Sequence, residues 1–181
     1  MNTRKEAEVA LADFMDSNEK VALLTGTNEY RKRVLALETF VKQEAGLNIL
    51  FRANYIDNFQ VYYAHFDIKF KVGKPYRLEN HTLYIDTIRE NSWDKSPLEV
   101  DHAVLYPLEG ASLLKERARL KLMDDLLRRV SGKIILVDHD STGENAWLSD
   151  FVDRRVSYDV EEDDPVFSQL KKEFDMDYMD Q

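Results

Sequence analysis

Lys20-Val-Ala-Leu-Leu-Thr-Gly26-Thr-Asn-Glu-Tyr-Arg31-Lys32-Arg33 is the stretch on which the fold turns. Val21 to Thr25 is a short, continuous, apolar run, the pattern of a strand covered on both faces. Gly26 stops it. From about Asn28 to Glu44, Tyr30, Val34, Leu37 and Val41 recur at helical spacing, and Gly46 is placed to end the helix. The stretch therefore reads as strand, glycine turn and amphipathic helix. Arg31, Lys32 and Arg33 fall in the first turn of that helix, where the helix dipole opposes each cation by about 0.3–1 kcal/mol. A neighbouring anion is expected to offset them: Glu29, an acid from an adjacent strand, or a bound anion.

The same alternation continues on both sides. Ala7, Ala10, Leu11, Phe14 and Met15 form one face of an opening helix over residues 1–18, expected to dock a partner, with packing on the sheet as the alternative. Leu47 to Phe51, His81 to Ile88, Ala103 to Tyr106 and Lys133 to Val137 read as further strands, the last three rich in β-branched or aromatic residues. Between Tyr55 and Arg77 an aromatic-rich segment reads as a helix followed by a strand, its rings more suited to core or partner surface than to stacking on bases. Ser112 to Val130 is the clearest helix, with Leu114, Ala118, Leu122, Leu126 and Val130 in one row and Leu113, Leu120, Met123 and Leu127 beside it. A short helix through Trp147 and Phe151, a strand near Arg155 to Val160 and a helix from Pro165 to Phe174 complete the chain. Strands separated by helices predict a mainly parallel sheet flanked by helices, a three-layer α/β sandwich.

Composition sets the outer bounds. The 181 residues are 44% hydrophobic, with six Gly and four Pro, which fits a single domain over 1–181 and no long linker. Its parts are the opening helix, a core over 19–158 and an acidic segment over 159–181. That last segment holds nine acids and two lysines, most of the net charge of -9. Such a segment repels phosphate backbones, so direct nucleic-acid binding is not expected, whereas docking on a basic partner is. The absence of Cys excludes thiolate chemistry and disulfides. With no apolar run long enough for a bilayer and none that reads as a signal sequence, the expectation is a cytoplasmic protein without a membrane partner.

The spacing from Gly26 to Lys32 matches G-x-x-x-x-G-K-[ST], and with the strand before it and the helix after it the stretch resembles the phosphate loop of P-loop NTPases of the RecA/AAA type. Arg31 stands at the second glycine and Arg33 at the hydroxyl position, so Gly26, Arg31, Lys32 and Arg33 make a degenerate loop. Asp101 to Glu109 resembles the strand that ends in the magnesium-holding acid, but Tyr106 occupies that place and Glu109 alone remains as a base. Lys133 to Ser141 resembles the strand that ends in a γ-phosphate sensor, with Asp138 or His139 at its end. The resemblance implies a P-loop-like, pseudo-ATPase core without a cofactor, working as an interaction or regulatory subunit through a protein partner or self-association. The alternative is a working NTPase with ATP and Mg²⁺, Lys32 on phosphate and Glu109 as base. On the first reading Lys32→Ala is expected to leave stability nearly unchanged.

A rival reading starts from Asp138-His-Asp140-Ser-Thr-Gly143-Glu144, which resembles the D-x-D-x-x-G-E element of Toprim domains. That resemblance implies Mg²⁺ on Asp138 and Asp140, with Glu109 as acid or base in phosphodiester chemistry. Asp86, interior to its strand, demands a partner, and Arg31 or Arg33 is the expected one. The four histidines have no zinc-site spacing.

Overall fold

The computed structural model describes residues 2–27, 29–62, 68–138 and 145–159. Seven strands form one sheet: β1 Val21–Thr25, β2 Asn48–Ala53, β3 Tyr76–Leu78, β4 His81–Thr87, β5 His102–Leu105, β6 Ile134–Val137 and β7 Arg154–Ser157. Their order is β3-β4-β2-β5-β6-β1-β7, with every pairing parallel except the short edge strand β3 on β4. Among the described residues five α-helices, α1 Arg4–Asp16, α2 Glu29–Val41, α3 Ile56–Tyr62, α4 Leu108–Ser112 and α5 Glu116–Arg129, cover it. The α/β class, the mainly parallel sheet and the flanking helices are those expected. The helix expected over 165–174 and the acidic segment beyond Asp159 lie outside the described residues, as do His139 to Glu144.

The period of two along each strand divides the core. Ala22, Leu24, Ile135, Val137, Val104, Ile49 and Phe51 face a cluster with Ala7, Leu11 and Phe14 of α1, Leu35 and Phe40 of α2, and Phe59 of α3. Val21, Leu23, Ile134, Leu136, Ala103 and Leu50 face the opposite cluster, built on Leu122, Met123 and Leu126 of α5. Burial on both faces is why these strands are continuously apolar in sequence. Of the aromatics expected as core or partner surface, Phe59 and Phe70 are buried in the core, and Phe59 packs edge-on to Phe51 and Phe70, with ring centroids 4.9 and 4.8 Å apart.

Three expectations need correction. The apolar face of α1 is not left for a partner, because Ala7, Leu11 and Phe14 are buried in the main cluster. The helix expected over 112–130 is α5 and begins only at Glu116, set off from α4 by Leu113 to Lys115, and Leu113 and Leu120, placed beside the buried row by periodicity, are 82% and 49% exposed. Asp86 pairs with neither Arg31 nor Arg33. Arg52 lies directly across from it in the β2–β4 register and grips it with two bonds, Nε to Oδ1 at 2.7 Å and Nη2 to Oδ2 at 2.8 Å. Arg52 Nη1 lies 2.8 Å from Asp125 Oδ2 of α5, and Arg129 closes the chain on Asp125 Oδ1 at 2.8 Å. Trp93 covers the Arg52 guanidinium at 4.7 Å. Arg52 and Asp86 are fully buried, so removing either would strand a charge in the interior, at about 3–5 kcal/mol.

Candidate functional site

The strands that carry the candidate residues, β1, β5 and β6, are neighbours in the order β5-β6-β1 and run parallel. Their carboxyl ends therefore open on one edge of the sheet, the edge where open α/β folds place their ligands. Gly26 ends β1, Tyr106 follows β5 and Asp138 follows β6. Gly26 needs to be glycine twice over. Its φ is +113°, and a Cβ there would lie 2.1 Å from the carbonyl oxygen of Tyr158.

Lys32 is wholly buried. Its ammonium donates to the carbonyl oxygens of Gly26 and Asp138, tying the end of β1 to the end of β6. A buried ammonium is costly unless its donors are met, so these carbonyls give Lys32 a structural duty. Lys32→Ala would cost stability, on the order of 1–3 kcal/mol, contrary to the sequence-based expectation. The helix α2 already begins at Glu29. Residues that in the motif would curl around a phosphate with their N–H groups inward are thus helical from Glu29 onward.

Arg33 is 1% exposed. Its guanidinium carbon lies 4.9 Å from the Tyr30 ring centroid and 5.6 Å from that of Tyr106. Two positions that the motif reserves for the groups around Mg²⁺, the hydroxyl after the lysine and the acid after the second strand, are therefore filled by a cation and an aromatic ring in mutual contact. A cation–π contact in a desolvated place is worth about 2 kcal/mol. These side chains do not fit a magnesium ion, since neither offers it an anionic oxygen and Arg33 repels it.

Glu109 sits in the first turn of α4, exposed, just past the cis peptide between Tyr106 and Pro107. Asp138 is nearly buried, and its carboxylate accepts from Asn145 Nδ2. Asn145 Oδ1 lies 3.3 Å from Ser112 Oγ, which in turn accepts from Trp147 Nε1 at 3.2 Å. Asp138 is thus drawn into a polar chain that links β6 to α4. Asp140 lies outside the described residues, and among the described residues no group of three His, Asp or Glu is placed to hold a metal.

Asn145 and Asp159 are the residues the sequence reading missed. Asp159, just past β7, accepts from the Thr27 backbone N–H through Oδ1 at 3.1 Å. No local signal marks it, because contact across so much sequence comes only from β7 pairing with β1.

No protein-family model matches the sequence, and no curated protein does. Among solved structures the fold matches large terminase from the thermophilic bacteriophage D6E at a TM-score of 0.61 and 10% identity, over 93% of this chain and 49% of that one. A second crystal form of that terminase, in complex with ADP, matches at 0.55 and 9% identity over the same shares. The chain spans about half the length of the terminase chains it resembles. At such identity the likeness is one of fold, and the fold is P-loop NTPase-like. No helix among the described residues is long and apolar enough to cross a membrane.

Proposed function

We propose that this chain is a P-loop-like domain that does not hydrolyse nucleotide and serves as an interaction or regulatory subunit. The observation that carries the reading is the contact between Arg33 and Tyr106, which fills both magnesium-handling positions with groups that cannot ligate the ion. Phosphoryl transfer in this fold depends on positioning plus charge neutralisation by lysine and metal. Here the lysine is engaged with two carbonyls and the metal positions carry the wrong chemistry. An open groove of about 290 Å³ between α5 and the turn at Glu90–Lys95, lined by Ile88, Trp93, Leu114 and Ala118, offers apolar surface to a protein partner.

A second reading, nucleotide binding at a modified loop, is favoured by the retained Lys32 at the head of α2 and by the ADP bound in the second terminase form. The Toprim-like reading has less support, with Glu109 exposed on one helix and Asp138 tied to Asn145. Titration with a fluorescent ATP analogue, with and without Mg²⁺, tests the proposal. Affinity is expected to be weak and indifferent to Mg²⁺. Tight binding that requires Mg²⁺ would overturn the proposal in favour of the second reading.

A further inference from the structure

The groove between α5 and the turn at Glu90–Lys95 has an apolar floor and a basic rim. Trp93 lines it and donates its indole N–H to the Thr87 carbonyl at 2.9 Å, so the ring offers the groove carbon alone. Ile88, Leu114 and Ala118 extend that floor. Leu113, next to Leu114, and Tyr55, whose ring centroid lies 5.1 Å from the Arg89 guanidinium carbon, are both exposed. The rim is Arg89, Glu90 and Lys121, and Lys121 already meets both oxygens of Glu90 at 3.1 Å. Arg89 therefore leaves the rim net positive, and Arg117, one turn before Lys121 on α5, is a further exposed cation.

Beyond Asp159, residues 160–181 carry most of the net charge of -9 and lie outside the described residues. In sequence Phe167, Leu170 and Phe174 recur at i, i+3 and i+7, with Glu173, Asp175 and Asp177 around the last of them. An acidic amphipathic helix of this pattern is complementary to an apolar groove with a basic rim. The sheet puts the two within reach. β4 and β7 are parallel through the strands between them, so Ile88, just past β4, and Asp159, just past β7, lie at the same carboxyl edge. Five strand spacings separate β7 from β4, about 24 Å in all. Residues 160–166, if extended, would span about 23 Å, which would bring Phe167 level with β4.

We propose that residues 165–178 dock in this groove of their own chain, with Phe167, Leu170 and Phe174 as anchors, and that a protein partner binds there only by displacing them. The tether makes the contact intramolecular, at an effective concentration on the order of millimolar, so a modest intrinsic affinity keeps the groove covered. The proposal rests on the interaction reading and gives that surface its regulation.

Fluorescence anisotropy of a fluorescein-labelled peptide of residues 164–178, titrated with the full natural chain and with full-length variants, tests it. The natural chain is expected to bind the peptide weakly, and Phe167→Ser with Phe174→Ser to bind it about ten-fold or more tightly. Adding Ala118→Glu in the groove wall is expected to abolish that gain. Equal affinity in the natural chain and the double variant would overturn the proposal, as would a gain that survives Ala118→Glu. If Ala118→Glu does not fold, Lys121→Glu, at an exposed position, takes its place, with a reduced gain expected and an undiminished one counting against the proposal. A natural chain that is dimeric and becomes monomeric with the two Phe substitutions would also overturn it, by placing the segment in the groove of a second copy. Tight nucleotide binding that requires Mg²⁺ would remove the non-hydrolysing reading without altering these peptide affinities, so the two failures are told apart.

Discussion

His102 is held neutral by its surroundings. Its ring stacks on Phe40 with centroids 4.5 Å apart, and Nδ1 accepts from the Lys133 N–H at 2.9 Å. Burial, helped by the charges of Lys133 and Lys20 and opposed by Asp101, pushes it down from 6.5 to about 4. A proton on Nδ1 would also break the bond from Lys133. Because the folded value lies below the unfolded one, the unfolded chain takes up the proton first as pH falls. The His102 contribution is therefore complete above pH 6.5 and is lost between about 6.5 and 4. Discounted for partial exposure, the loss is roughly 1–2 kcal/mol. Urea unfolding of the natural chain and His102→Gln from pH 7 to 4 should show the steeper decline in the natural chain; parallel curves would refute this. Side-chain identity alone announces none of it. Arg52 and Asp86 make the same point, since the motif directed attention to Arg31 and Arg33 while the partner of Asp86 was set by strand register.

α1 and α5 are bound to the rest by exchanged lysines. Lys20, just before β1, donates to the carbonyls of Val130 and Ser131 at the end of α5. Lys133, just before β6, donates to those of Ser17 and Glu19 after α1, each at 2.5 Å, and lies 4.9 Å from the Phe14 ring. Each cation thus meets carbonyls of the cap and the segment just past a helix C-terminus, where positive charge is favoured. α1 is accordingly part of the core. A chain starting at Glu19 should lose cooperative unfolding, and Phe14→Ala alone should cost about 3–5 kcal/mol, a large share of a typical domain's stability. Circular dichroism melts check both, and a shortened chain with an unaltered transition would contradict the packing. The apolar face of α1 was legible in sequence; whether it met the sheet or a partner was not, because amphipathicity is the same in either case. The break between α4 and α5 was hidden for a related reason, since Leu114 and Ala118 keep helical spacing across it.

The sheet brings these parts into one arrangement. Alternation of apolar runs and amphipathic helices was enough to anticipate the parallel sheet and its two helical layers. The order β3-β4-β2-β5-β6-β1-β7 was not, because apart from the adjacent pair β3 and β4 the neighbouring strands are far apart in sequence and nothing local states which pair. That order is what sets β1, β6 and β5 side by side and so brings Gly26, Lys32, Asp138, Arg33 and Tyr106 to one edge. Of these, Gly26, Lys32 and the substituted positions Arg33 and Tyr106 were legible from spacing, whereas the bond from Thr27 to Asp159 depended on β7 lying beside β1. The combination of a P-loop-like fold with a cation–ring pair at the magnesium positions makes a definite claim about chemistry. Phosphate release from ATP with saturating Mg²⁺, measured for the purified natural chain, should equal release in buffer. Release well above buffer that co-purifies with the folded protein and disappears in a folded Lys32→Ala variant would contradict the account.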